Sequence, residues 1–403
     1  MIKRRLVYQV AGYDPVGAEG HYRRFVRGIP IFARTWSVSA SASALTKDEN
    51  AARWTVETQG PNWRVETTYR PLAWDDIVRG DFETSMLTRL GKFSLALFDI
   101  FRTGTMFRYF RANFQYGFFF LFPVVYLIAF AVVGWLLGLW IAGLMALQGA
   151  AYALAVAAIG AATFFVLLQW PGQRWRVRQA LDDWVFSWDY LHGRRPDMEA
   201  RLDQFARQLV TSARETQFDE IVVVGHSLGA TMAVSAVARA LEVDPALGTR
   251  GPKVCVMTVG STIPKFSLHP DAVRVRRDIQ RVATAGAIEW AEFHARADPI
   301  SFYKFDPVTE QRVDDRYDRK PIIRMVRIRG MLEPETYRRI RFRFMRVHHQ
   351  FVMANERRNA YDFYMMGCGP VPFRSSVMTM EGPAALIGAD GTFIQPSAEN
   401  AAR

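Results

Sequence analysis

The sequence predicts an α/β protein: a mainly parallel sheet flanked by helices, with a two-helix transmembrane hairpin inserted. Three observations carry this. From Met198 onward, apolar runs of strand length alternate with segments of helical periodicity. Between Arg111 and Arg174 there is no Asp, Glu, Lys or Arg. The pentapeptide Gly225-His226-Ser227-Leu228-Gly229 joins a continuous apolar run to a helical one.

In chain order, Leu6–Ala11 reads as a strand ending in the turn residues Gly12-Tyr13-Asp14-Pro15. Trp36–Leu45, Ala52–Thr58 and Trp63–Tyr69 alternate apolar and polar residues, with Asp48-Glu49-Asn50 and Gly60-Pro61 as turns, and predict an antiparallel meander. Whether the meander joins the main sheet or caps it is open at this level. Met86, Leu87, Leu90, Phe93, Leu97 and Phe101 recur at helical spacing, which fits either a helix at lipid headgroup level or a core-facing one. After the charge-free stretch, Met198–Ala213 reads as a helix, Ile221–Val224 as a buried strand and Ala230–Leu241 as a helix. Val254–Val259, Trp290–Ala295 and Ile322–Ile328 then read as strands. Gln350–Tyr361 reads as a helix. The implied organisation is an N-terminal part over 1–111, a hairpin over 112–172, a main part over 173–370 and a partly loose tail over 371–403.

The stretch between Arg111 and Arg174 is long enough for two crossings of a bilayer core, each needing about 20 apolar residues. The expected crossings are Tyr116–Leu139 and Ala150–Trp170, turning at Gly143–Gly149. Arg102, Arg108 and Arg111 precede the pair, Arg174, Arg176 and Arg178 follow it, and the turn has no Lys or Arg. Both soluble parts are therefore expected on the cytoplasmic side, as in a bacterial inner membrane. Gly134 and Gly138, four apart, offer a close-packing face, and Pro123 a kink.

The chain has 403 residues, half of them apolar, and a formal net charge of +12, which excludes a disordered chain and favours an anionic partner surface. Arg339, Arg341 and Arg343 alternate with Ile340, Phe342 and Phe344, predicting a strand with one basic face; membrane lipids are the expected partner and nucleic acid is not. Cys255 and Cys368 are too few for a disulfide framework or a zinc cluster and read as buried fillers in a reducing compartment. No phosphate-loop, dinucleotide or paired Cys-x-x-Cys pattern occurs, so neither a cofactor nor a metal is expected. The N-terminus enters its first apolar run directly, with no secretory signal visible.

Ser227 carries the chemistry. A sharp strand-to-helix turn leaves no room for side chains two positions before and after its central residue, and Gly225 and Gly229 meet that demand. The hydroxyl would then stand at a helix N-terminus, where backbone dipoles favour developing negative charge, with His226 as a neighbour shaping the entrance. His294, on an apolar strand, reads as a core histidine.

At Ile221–Ala230 the sequence resembles the α/β-hydrolase superfamily, above all its lipases and esterases, with a weaker likeness over 1–35 and 195–365. The resemblance implies a nucleophilic serine followed in the chain by an acid and then a histidine. Asp298, in Asp298-Pro299 after the strand Trp290–Ala295, matches the acid. His348 or His349 matches the base, His348 preferred because His348 with Phe351 is similar to the His-x-x-aromatic ending of several lipases. It also implies an oxyanion hole built from the Leu228 amide and the Gly12-Tyr13 loop. The expected reaction is hydrolysis of a carboxylic ester, lipid-like or otherwise, or of a thioester. Acyl transfer to an alcohol or amine on the same fold, or a non-catalytic membrane scaffold, are the alternatives. Chain-length preference and oligomeric state are not legible.

Overall fold

The computed structural model describes residues 1–48, 51–215, 217–308 and 320–395. The chain divides into two compact units, Met1–Arg79 with Gly193–Arg403, and Gly80–His192. The second unit is wider than the expected 112–172, because helices on both sides of the hairpin pack with it.

The elements run β1 (Arg4–Val10), α1 (Ala18–Trp36), β2 (Ser39–Ala42), β3 (Thr46–Asp48), β4 (Ala51–Gly60), β5 (Trp63–Pro71) and α2 (Asp75–Phe82). They continue with α3 (Met86–Arg102), α4 (Thr105–Ala112), α5 (Phe114–Leu144), α6 (Gly149–Gln169), α7 (Pro171–Arg174), α8 (Val177–Leu191) and α9 (Pro196–Ala213). Next are β6 (Glu220–His226), α10 (Gly229–Val243), β7 (Lys253–Val259), α11 (Ile263–Ser267), α12 (Val273–Thr284), β8 (Ile288–Ala295) and β9 (Ile322–Val326). The last are α13 (Ile328–Met331), α14 (Pro334–Ile340), α15 (Phe344–His349), α16 (Phe363–Cys368) and α17 (Phe373–Met378).

The first unit is an α/β structure on a mixed sheet ordered β2-β4-β5-β1-β6-β7-β8-β9, with β3 paired to β4. The meander belongs to this sheet: β2, β4 and β5 are antiparallel, and β5 then pairs parallel to β1, Leu6 opposite Thr68. From β1 through β9 all pairs are parallel, in a register that aligns Leu6, Ile221, Val254 and Ile288. Strand composition follows position. Every residue of β6 is buried, as a central parallel strand with both faces covered requires, whereas β5 alternates buried Trp63, Val65 and Thr67 with exposed Arg64 and Glu66. The buried face of the antiparallel part packs Trp54 against Tyr69, ring centroids 4.8 Å apart, with Phe25, Phe32 and Trp36 of α1 and Tyr364 of α16 in the same core.

One buried ion pair ties three parts of this unit. Arg5 of β1 is fully buried; its Nε donates to Glu220 Oε2 of β6 (2.9 Å) and its two terminal nitrogens donate to the Gly369 and Val371 carbonyls (2.8 and 2.7 Å). Glu220 Oε1 accepts the Phe373 amide at 2.9 Å. Every charge-bearing atom is thus satisfied, which makes so deep a pair tolerable.

Four expectations change here. The basic segment expected as a strand is helical, α14 followed by α15, with Pro334 opening α14 and Arg338 and Arg339 in its last turn. Alternation alone does not make a strand, and Pro334 favours a helix start by its fixed φ. Gln350–Tyr361 is not a helix beyond a 3₁₀ turn at Gln350–Val352, since Asn355 bonds the Tyr361 carbonyl and the Glu356 amide is held by Met331. Helix α16 starts instead after Asp362, whose carboxylate caps the Met365 amide. Trp36 ends α1 rather than beginning a strand, and Glu49-Asn50 of the expected turn lie outside the described residues. The tail, expected to be partly loose, is folded through α17 and on to the buried Phe393; residues 396–403 lie outside the description.

In the second unit, α5 and α6 form an antiparallel hairpin, and each is long and apolar enough to cross a membrane. Gly134 and Gly138 let the backbones meet: a Cβ on Gly134 would lie 2.5 Å from the Gly160 carbonyl oxygen, and one on Gly138 2.6 Å from that of Val156. Helix α5 runs unbroken through Pro123. At the hairpin's base α3 and α8 are bound by charge. Arg89 is buried, pairs with Asp182 and donates to the Phe82 carbonyl (3.2 Å); Lys92 donates to Asp189 (2.8 Å), and Trp188 Nε1 to Asp99 (3.0 Å). Burial lifts the Asp182 carboxyl to about 6, against the pull of Arg89.

Replacing Arg5 by Met strands Glu220 in the core and should destabilise the first unit by about 3–5 kcal/mol, read as a shifted denaturation midpoint, with Glu220→Gln in the same chain recovering part of the loss. Gly134→Leu forces α5 off α6 and should cost about 1–3 kcal/mol or more by overpacking, visible as a lowered melting temperature in detergent.

Candidate active site

Chain order places the site. After β1 the sheet grows outward to β5 on one side, and after β6 it grows to β7, β8 and β9 on the other. The carboxyl ends of β1 and β6 therefore flank the point where strand order reverses, where open α/β sheets form a crevice. Gly12 follows β1 there and Ser227 follows β6.

Ser227 has φ 57°, in the left-handed region that a side-chain-bearing residue enters at a cost. Its surroundings hold it. Its amide donates to the Val259 carbonyl of β7 (3.1 Å), and its carbonyl accepts the Ala230 amide (3.1 Å) and the Thr262 amide (3.3 Å). A Cβ on Gly225 would lie 2.5 Å from Ala230 Cα, and one on Gly229 2.3 and 2.4 Å from the Ala11 and Val10 carbonyl oxygens. All of these neighbours are backbone atoms that cannot step aside, so both glycines are obligatory. Gly12 is close on the other side, though less tightly: its Cβ would meet Ser227 Cβ at 3.0 Å and Oγ at 3.4 Å. Ser227 itself stays partly exposed among buried neighbours.

Asp298 and His348 are brought together. Asp298 Oδ2 lies 2.8 Å from His348 Nδ1, and Oδ1 accepts the Ile300 amide at 3.0 Å. Asp298 is fully buried and His348 nearly so. A carboxylate only accepts, so His348 carries its proton on Nδ1 and leaves Nε2 as the basic nitrogen. That Nε2 is buried and makes no hydrogen bond. Ser227 Oγ and His348 Nε2 are thus not bonded to each other. The ring nonetheless borders the backbone that supports Ser227: a Cβ on Gly260, next to Val259, would lie 3.1 Å from His348 Cε1. His226 Nε2 donates to the His348 carbonyl at 3.2 Å, and the two rings lie 4.6 Å apart. His348 stands in the last turn of α15, not in a loop before a helix as expected.

His349 is used differently. Its Nδ1 donates to the Met345 carbonyl (2.6 Å), and Nε2 is 4.0 Å from Asp14. Burial, then the neighbouring His348, pushes its pKa down to about 4. The same causes hold His226 well below the ordinary range. His294 is occupied on both sides, Nε2 donating to Glu292 (2.8 Å) and Nδ1 accepting the Lys304 amide (3.2 Å). Leu228 is where α10 begins, so its N–H is among the first-turn donors lacking an intrahelical acceptor. Tyr13 is buried with its ring edge-on to Trp74, whose Nε1 donates to the Ala11 carbonyl (3.0 Å) and so braces the loop.

Sequence reasoning missed Val259 and Gly260, which support Ser227 and admit the His348 ring. The one signal was a glycine directly after a buried strand, with φ 52° here.

Because the folded pKa of His349 lies near 4 against an ordinary 6.5, the unfolded chain binds its proton first as pH falls. Wild type should lose stability relative to His349→Gln between pH 6.5 and pH 4, by at most about 1.4 kcal/mol per pH unit, and the two should run parallel above that window. Denaturant titrations at several pH values measure the difference, which includes the relief that the change gives to the neighbouring His226.

Comparison of the chain with protein-family models, with curated proteins and with solved structures finds no match, which leaves the geometry of this loop cluster as the ground for a functional reading.

Proposed function

We propose that the chain is a membrane-anchored serine hydrolase of the α/β-hydrolase type, cleaving carboxylic ester or thioester bonds through an acyl-enzyme on Ser227. The observation that carries the reading is the buried Asp298–His348 pair, whose remaining ring nitrogen is basic, buried and unbonded beside the strained Ser227 turn. Order along the chain supports it too. The serine follows β6, the acid follows β8 and the histidine follows β9, in the sequence Ser, Asp, His.

In the proposed reaction His348 Nε2 takes the Ser227 hydroxyl proton as Oγ attacks the substrate carbonyl carbon. Apo sites often hold such a pair longer than a hydrogen bond and tighten it once substrate is bound. The Leu228 amide and the Gly12-Tyr13 loop receive the oxyanion. Asp298 holds the ring in its tautomer and stabilises the imidazolium. Collapse expels an alcohol or thiol, which leaves with the proton from His348. Water then attacks the acyl-enzyme, with His348 again the base, and releases the acid.

The α5–α6 hairpin is read as the anchor, with both flanks on the cytoplasmic side because all the nearby arginines lie outside the turn. A lipid-like ester suits an enzyme held at a bilayer.

A fluorophosphonate probe should label wild type and leave Ser227→Ala unlabelled, while Asp298→Asn should cut ester turnover by about ten-thousand-fold. A wild-type chain that does not react, or equal labelling of Ser227→Ala, removes the enzyme reading.

A further inference from the structure

We propose that α3 and α4 lie in the plane of the membrane interface as an amphipathic platform, their outward apolar stripe set into the headgroup–acyl boundary of an anionic bilayer. The inference rests on the reading of α5–α6 as a membrane hairpin and adds a second, non-spanning contact with the lipid.

Helix α3 is apolar outward as well as inward, where Phe93, Ala96 and Ile100 are buried. Its inward face also carries charge: Arg89 pairs with Asp182, and Asp99 accepts from Trp188 (3.0 Å) and Arg102 (2.9 Å). Its outward face is apolar at helical spacing, with Leu87, Leu95, Phe98 and Phe101 exposed. Helix α4 continues the pattern. Leu87, Phe98 and Phe107 are 73, 66 and 75% exposed, a degree at which water would drive such a row to find cover.

Continuity with the hairpin decides for lipid as that cover. Only Asn113 separates α4 from α5, and its side chain caps α5 by accepting the Tyr116 amide at 3.0 Å, so the platform ends where the charge-free helix begins. At the other end of the hairpin Trp170 and Trp175 are exposed, the amphipathic rings that settle at headgroup level. Arg108 and Arg111 are exposed beside the stripe, cations at the level of lipid phosphates once the stripe is in the interface, and Arg102, also exposed, is held by Asp99. A helix that turns an apolar stripe outward, flanked by cations, is the kind that lies in the interface plane.

Spin labels placed one at a time test this in vesicles of phosphatidylcholine and phosphatidylglycerol. Phe98→Cys and Phe107→Cys report the platform, and Leu136→Cys, exposed on α5, reports the hairpin. Cys255 and Cys368 are both buried, which makes labelling selective for the new thiol. The expected result is that labels at 98 and 107 collide with oxygen severalfold more than with a water-soluble nickel chelate, and that the label at 136 is deeper still. Chelate-accessible labels at 98 and 107 with a deep label at 136 would overturn the platform and leave the hairpin standing. Chelate access at all three would remove the hairpin reading and the platform with it. Spin–spin broadening at 98 that disappears on dilution with unlabelled protein would show a second copy as the cover, and would also overturn the proposal.

Discussion

Three backbones meet around Ser227 more closely than side chains allow, and the rest of the site depends on that approach. Gly229 presses on the Val10 and Ala11 carbonyls at the end of β1, Gly225 on the start of α10, and Gly12 on Ser227 itself. A Cβ at any of these positions would push β1, β6 or α10 away from the others. The left-handed Ser227 follows from this crowding, because a helix that starts against the strand it has just left must turn within one residue. The bonds from Val259 and Thr262 then fix the turn from the β7 side. Strain at one residue is held by several ordinary hydrogen bonds around it.

Buried charge has two different uses in the two units. In the first, Arg5 and Glu220 close a central seam of the sheet and bring in the chain at Gly369–Phe373, with each polar atom satisfied. In the site the opposite holds: Asp298 and His348 satisfy each other, and one nitrogen is left over. In the second unit Arg89 and Asp182 lock α3 to α8 beside the buried Phe93, Ala96 and Ile100, while Leu87, Leu95, Phe98 and Phe101 stay exposed.

The elements with one dominant signal were legible. Ile221–Val224 is a continuous apolar run, and Val254–Val259 and Trp290–Ala295 are mostly apolar runs of strand length; each is a strand buried on both faces, as a central parallel position requires. The hairpin was legible because charge is absent over a length that no loop could hide. Misreadings fell where local pattern competed with partners elsewhere. Arg338–Arg346 alternates like a strand but is taken up by α14, which opens at Pro334, and by α15. Gln350–Tyr361 has helical spacing, yet the Asn355 side chain bonds the Tyr361 carbonyl and the Glu356 amide bonds the Met331 carbonyl, far back in the chain.

By itself the sequence determined the α/β alternation, the charge-free hairpin and the cramped turn at Ser227, since each is set by spacing within a short window. Tertiary structure decided which of two adjacent histidines meets Asp298. His348 and His349 differ by one step on a helix, about 100° of rotation, and only the packing of α15 shows which ring faces the carboxylate and which the Met345 carbonyl. It also decided that the meander extends the main sheet through β5 and β1, because strand pairing is a long-range choice that no local pattern encodes.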